Sequence, residues 1–275
     1  MDDTEMIIMP IIRPITDHQN FNDIEGRRFM ELMGAVHIMK RPKNHVIREI
    51  QCRWDAKQVS YELLDRQIRD FTNFTLNLSE FNKICENDKI SLVKYGCIEI
   101  INMRSVLFYD FDNQFFNIWI NDKTSVRLNL NTIKSGHQNE RDIHDIFLDL
   151  MSTNWENDSY IIDLLTGIAL FNPNRPKLCH ISTIKLTRYI YMCLLYRYLI
   201  VKYRSEIAAQ NKFVRLMKLL RTNQELGDRH RTIRSHENPQ LTTPLVCEVF
   251  DIPVKTDVCP LTQQNQYPLH KMISR

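Results

Sequence analysis

The sequence predicts an all-α domain with one small β element. Apolar residues recur at three- and four-residue steps along most of the chain. Only 6 of the 275 residues are glycine, too few permissive backbone positions for a turn-rich β fold. Residues 114–130 alternate instead of coiling: Phe116, Ile118 and Ile120 share one parity, Phe115 and Trp119 the other. That is the pattern of a short β-hairpin.

Residues 1–20 carry Pro10 and Pro14 without periodicity and read as a flexible N-terminal arm. Ile24, Phe29, Leu32, Met33 and Val36 give a helix within 22–40. The basic run Lys40-Arg41-Pro42-Lys43 reads as a solvated loop, with a nuclear-import signal as the alternative. Leu64, Ile68, Phe71, Phe74 and Leu78 stripe a helix over 58–81. Asn87-Asp88 precedes a second stripe of Ile90, Val93, Cys97, Ile100, Ile101 and Leu107. Helices follow at 138–153, 158–171, 180–203 and 206–233, with Asn172–Pro176 as a breaker. Thr243 as N-cap and Pro244 in the first turn open a short last helix, Leu245–Asp251, which Pro253 ends. The total is about nine to eleven helices. Without a Gly/Ser linker or internal repeat, residues 21–253 form one domain, preceded by the arm 1–20 and followed by a C-terminal extension, 254–275.

Composition excludes several classes of function. With 43% hydrophobic and 25% charged residues the chain is globular. A net charge of +3 is too mild for nucleic-acid binding by the whole chain. The 7 cysteines are odd in number and lack C-x-x-C spacing, so they read as reduced thiols and not as a zinc module. The acidic start Met1–Glu5 is unlike a signal peptide. The longest apolar runs, Ile161–Phe171 and Tyr189–Val201, are short for a bilayer, and Arg197 interrupts the second. No nucleophile elbow, P-loop or glycine-rich fingerprint is present. His137, Glu140 and His144 lack the H-E-x-x-H spacing and read as a solvated helix face. A protein that is not an enzyme and needs no cofactor is the expectation.

Three segments carry a family resemblance. Cys85–Val106 resembles the nuclear-receptor signature across the fourth and fifth helices. Ile168–Pro176 is similar to the family's turn after its eighth helix, and Thr243–Phe250 to its activation helix. Their order and spacing are also family-like. The chain thus resembles a nuclear-receptor ligand-binding domain. Arg104-Ser105 and the ending Thr243–Phe250 most resemble the group of the vitamin D receptor and the nematode dafachronic-acid receptor. The resemblance implies a three-layer antiparallel helical sandwich around an apolar cavity. It further implies a lipophilic, sterol-like ligand, acidic or oxidised, and transcriptional control through leucine-rich-motif coregulators. The implied location is the nucleus, with the cytoplasm second, and neither DNA nor membrane is contacted by this chain.

Candidate ligand residues follow from the stripes. Gln67 lies between Leu64 and Phe71 on one stripe, and Arg104 continues the stripe of Cys97 and Ile101. A buried guanidinium or amide needs partners. Those are either structural groups or the polar end of a ligand, and the resemblance assigns Arg104 to the ligand. Leu63, Leu64, Ile101, Ser105, Phe108, Phe116 and Trp119 are the candidate apolar lining, with plain core as the alternative for each. Arg66 and Arg69 are expected in solvent and His230 on the surface.

The coregulator residues lie at the chain's end. Leu245, Val246, Val249 and Phe250 fall on one helical face, which Glu248 flanks. The bland alternative is a docked terminal helix with a solvated Glu248. The resemblance implies that Glu248 receives the free N–H groups at the start of a leucine-rich coregulator helix, where the dipole favours negative charge. Leu76 stands where the family usually has the opposing lysine, and Lys94 matches a second family lysine able to serve. Lys94, Leu245, Glu248, Val249 and Phe250 therefore form the candidate coactivator site. Glu99 and Arg175 match a family ion pair between the fifth helix and the later turn. Phe213, Leu216, Met217, Leu219 and Leu220 either pack inward or form a dimer seam. Homodimer and retinoid-X-type heterodimer are the assemblies the resemblance allows. A ligand-independent orphan module, with side chains filling the cavity, is the runner-up; Leu76 and the bulky Phe71, Phe74 and Phe108 favour it.

Overall fold

The computed structural model describes residues 21–40, 47–50, 53–121, 124–129, 143–253 and 268–274. The stretch 1–20 expected to be an arm, the basic run beyond Lys40, and residues 122–123 and 130–142 lie outside the described residues. The helices are α1 (Asp23–Val36), α2 (Arg53–Leu76), α3 (Ser79–Asn82), α4 (Glu86–Ser105) and α5 (Ile143–Asn154). They continue as α6 (Ser159–Leu170), α7 (Ile181–Tyr203), α8 (Glu206–Arg234), α9 (Pro244–Phe250) and α10 (Pro268–Ile273). The strands are β1 (Ile47–Ile50), β2 (Tyr109–Asp110), β3 (Phe115–Asn121) and β4 (Thr124–Asn129).

Local chemistry sets the helix ends. Asn22 and Glu25 form a capping box at the start of α1. Asp158 accepts from the Tyr160 N–H and Ser205 from the Ala208 N–H, opening α6 and α8. α7 and α9 close on left-handed residues, Arg204 at φ 51° and Asp251 at φ 56°.

Burial sorts the helices into layers. Every residue from Ile161 to Leu170 of α6 is buried. α4 buries Leu92, Val93, Cys97, Ile98, Ile100 and Met103 around its circumference. Such helices need neighbours on both faces. α4, α6 and α7 form the middle layer, α1–α3 cover one side, and α5 and α8 cover the other. This is the three-layer helical sandwich that the resemblance implied. The inward face of α8 holds Phe213, Leu216, Leu219 and Leu220, all buried. Among the described residues no helix is long and apolar enough to cross a membrane.

The hairpin forms as β3 and β4, pairing Phe116 with Leu128 and Ile118 with Val126. It belongs to a larger sheet of order β1-β4-β3-β2. β1 runs parallel to β4, pairing Ile47 with Ser125. Its four residues are too few to show a period. The single helix expected over 58–81 is two, because α2 ends at Leu76 and α3 restarts at Ser79. α10 falls in the stretch expected to be a C-terminal extension, has no counterpart among the expected helices, and buries Leu269 and Ile273 in the main core.

Charges buried between layers are paired. Arg175 donates to Glu99, each side chain 4% exposed. Burial pushes the Glu99 carboxyl up from its ordinary range, against the pull of Arg175. The Glu99 carbonyl accepts from Asn223 Nδ2 of α8 at 2.9 Å. α8 comes so close here that a Cβ on Gly227 would lie 3.1 Å from the Glu99 Cβ. Arg104 Nη1 lies 2.8 Å from Asp163 Oδ1 and 3.1 Å from Thr166 Oγ1, joining α4 to α6. Buried Asp88 accepts from the N–H groups of Cys179 (2.6 Å) and His180 (3.0 Å), so an α4 side chain caps α7.

A buried pair and a partly exposed carboxylate should respond differently to change. Asp163→Ala strands the Arg104 charge in the core and should cost about 3–5 kcal/mol in denaturant unfolding. Replacing both partners, as Arg104→Met with Asp163→Leu, should cost clearly less. The second concerns acid. Burial raises the carboxyl of Glu156, but hydrogen bonds from Lys212, Tyr203 and Lys202 outweigh it and hold the group at about 2. A lowered carboxyl contributes stability above its ordinary value and loses it as pH falls. The urea midpoint should therefore drop between pH 4.5 and about 2, and Glu156→Gln should flatten that drop.

Candidate functional site

α9 is tied down at both ends. The Thr243 hydroxyl accepts from the Val246 N–H at 3.3 Å and donates to Asp65 Oδ1 of α2 at 2.5 Å. Leu245, Val246, Cys247, Val249 and Phe250 are buried beneath it. At the far end the Asp251 carboxylate meets Lys94 Nζ at 2.5 Å and lies 3.6 Å from Arg231 Nη1. Arg231, from the last turn of α8, donates to the Val249 carbonyl at 2.8 Å and to the Lys94 carbonyl. Its guanidinium lies over the rings of Tyr95 (4.6 Å) and Phe250 (5.4 Å). One cation thus joins α8, α4 and the C-terminal end of α9, where a positive charge suits the dipole.

Glu248 stands half-buried at the edge of α9 and is not solvated. Its Oε2 accepts from the Leu269 N–H at 2.7 Å. Burial pushes its carboxyl up, against the Leu269 and His270 N–H groups. The carboxylate does receive the start of a helix, and the helix is the chain's own α10. α10 lies on α2, α4 and α9 and buries Leu269 and Ile273. Lys94 is committed to Asp251, and Leu76 packs half-buried against the core at the end of α2.

The candidate ligand residues lie on α2, the C-terminal half of α4, the turn that follows it and β3. Leu64, Arg104 and Phe116 are buried. Leu63, Gln67, Ile101, Ser105, Phe108 and Trp119 are half-buried. Arg104 has protein partners, Asp163 and Thr166. The Ser105 hydroxyl donates to the Asn102 carbonyl at 2.6 Å.

Arg66 departs from the solvent position expected of it. It lies 4.6 Å from the Trp119 ring and donates to the carbonyls of Trp119 (3.0 Å) and Ile120 (2.5 Å), pinning β3 to α2. Arg69 remains half-exposed, in a helix-surface pair with Asp65 at 2.7 Å. His230 departs too: it is half-buried, with Nδ1 3.2 Å from Asn102 Oδ1 of α4. Asp163, Asn102 and Arg231 were not among the candidates. For Arg231 the available signal was a cation in the last turn of a long helix.

No family model matches the chain. Over 256 residues, 88% of its length, the chain is 28% identical to nuclear hormone receptor HR96 of Drosophila melanogaster. Over 204 residues, 71% of its length, it is 21% identical to nuclear hormone receptor family member nhr-8 of Caenorhabditis elegans. The matched region spans 35% of the length of each of these curated relatives. The chain is similar to nuclear hormone receptors across most of its helical sandwich.

Proposed function

We propose that this chain is the ligand-binding domain of a nuclear hormone receptor. It takes a small lipophilic, sterol-like ligand and controls transcription by recruiting leucine-rich coregulator helices beside α9. It is a binding module and not an enzyme, and it works in the nucleus. The two-ended attachment of α9 carries the reading. A helix of seven residues has no stability alone, so its place reports the state of the surface beneath it. A ligand that favours the docked state shifts the population of α9 and, with it, the groove.

Half-burial of Gln67, Ile101, Ser105 and Phe108, beside the fully buried Ile68, Ile100 and Met103, supports a recess for the ligand. Arg104 is already balanced by Asp163. A ligand carboxylate would compete with Asp163, whereas a keto oxygen would not, so an oxidised sterol fits better than an acid. The exposed Ile181 and Leu186 of α7 and Ile207 and Val214 of α8 supply an apolar outer edge for a homodimer or a retinoid-X-type heterodimer. The ligand-independent orphan module is the second reading. The internal partner of Arg104 and the buried rings of Phe71 and Phe74, 5.9 Å apart, favour it.

A thermal-shift screen with ketosteroids and sterol acids separates the two. A ligand at a hundred times its Kd should stabilise the chain by roughly 2.7 kcal/mol, and Gln67→Leu should shrink that gain. An absent shift, with an empty protein in native mass spectrometry, would favour the orphan module. Arg231→Met should loosen α9 and weaken binding of a leucine-rich coregulator peptide about tenfold by fluorescence anisotropy, as expected for loss of a charged, partly buried contact.

A further inference from the structure

We propose that α10 is an internal competitor for the coregulator groove, a leucine-rich-motif mimic carried by the chain's own C-terminal extension. The inference rests on the coregulator reading above. Leu269, Met272 and Ile273 fall at i, i+3 and i+4, the spacing by which an amphipathic helix fills a groove. Leu269 and Ile273 are buried, Met272 packs half-buried against the core, and His270 and Lys271 face solvent.

The ends of the helix are recognised as well. Pro268 brings no N–H to the first turn, and the next free N–H, that of Leu269, goes to Glu248 at 2.7 Å. At the other end the Ser274 hydroxyl donates to Glu86 of α4, and His270 Nδ1 lies 3.3 Å from the same carboxylate. Six residues cannot hold a helix alone, so the groove itself shapes α10. Glu86 anchors this helix through a hydroxyl and an imidazole, a fit for its particular C-terminus. That explains how a groove with Leu76 in place of the usual lysine still seats a helix.

α10 is covalently joined to α9 on the same chain, so it competes as an intramolecular partner. An incoming coregulator helix must displace it. The test uses the full chain and a fluorescent peptide of Leu-x-x-Leu-Leu pattern. Leu269→Asp combined with Ile273→Asp should tighten peptide binding about tenfold. Lys271→Pro, at an exposed position past the first-turn residues whose N–H groups lack an intrahelical partner, should do the same by removing a hydrogen bond of the helix, which guards against a folding defect in the first variant. A synthetic peptide of residues 265–275 should displace the probe from either variant.

Equal probe affinity in intact and variant chains, lost on Glu248→Gln, would overturn the proposal and leave the coregulator reading standing. No probe binding to any form, while the 265–275 peptide still binds the variants, would overturn both and leave α10 as a mere part of the fold. A gain that fades on dilution of the protein would place the helix of a second copy in the groove and overturn the intramolecular assignment.

Discussion

Taking a charge out of water requires an opposite charge or good hydrogen bonds in its place, and α4 takes several out of water along one helix. Glu99 and Arg104 are both nearly inaccessible, and each finds its partner in another element: Arg175 beyond the end of α6, and Asp163 within it. Asp88, one end of the same helix, caps α7. A slip of α4 by one residue would break all three contacts at once. Greasy surfaces alone tolerate such slips, because Leu, Ile and Val interchange at modest cost. The buried pairs thus fix the register of the middle layer more than they add to its stability.

That fixed helix serves both ends of the candidate site. Its first half offers Lys94 to Asp251 and backs α9, and its second half ties Arg104 to Asp163 and Thr166 of α6. Arg231 reaches the Lys94 carbonyl and the Val249 carbonyl together, so α4 and α9 share one donor. α4, α8 and α9 are thus held by one guanidinium, and α2 joins α9 again through Asp65 and Thr243.

The sequence made the long helices legible because each buries a broad stripe, and a stripe repeats often enough to be read. The hairpin was legible for the same reason at period two. What was hidden had one of two causes. Short elements show no period: β1 and α10 are each shorter than two helical turns. Contacts to backbone carbonyls leave no complementary residue to notice. Arg66 and Arg231 both bind carbonyls, which every residue carries, so no complementary residue marks them, and only the last-turn position of Arg231 hints at its role. Asp163 was hidden differently, as an acid inside an otherwise apolar helix whose partner, Arg104, lies far back along the chain. For Glu248 the resemblance implies a coregulator helix start, whereas the structure puts the N–H of the chain's own Leu269 there, a segment too short to show a period in the sequence.

Two short helices at one edge of the sandwich now have a common physical account. Neither α9 nor α10 is long enough to form alone, so each exists only while its surface and its end contacts persist. The end contacts are few: Thr243 to Asp65, Arg231 to Val249 and Lys94 to Asp251 for α9, and Glu248 and Glu86 for α10. Solvent screens the half-exposed pairs among them, such as Lys94 with Asp251, so none holds its helix alone. Apolar burial adds to them: Leu245, Val246, Val249 and Phe250 of α9 and Leu269 and Ile273 of α10 are all buried. Glu248 couples the two helices directly. It is carried by α9 and holds the start of α10, so α10 can dock fully only where α9 already has, and releasing α10 leaves the α9 attachments intact.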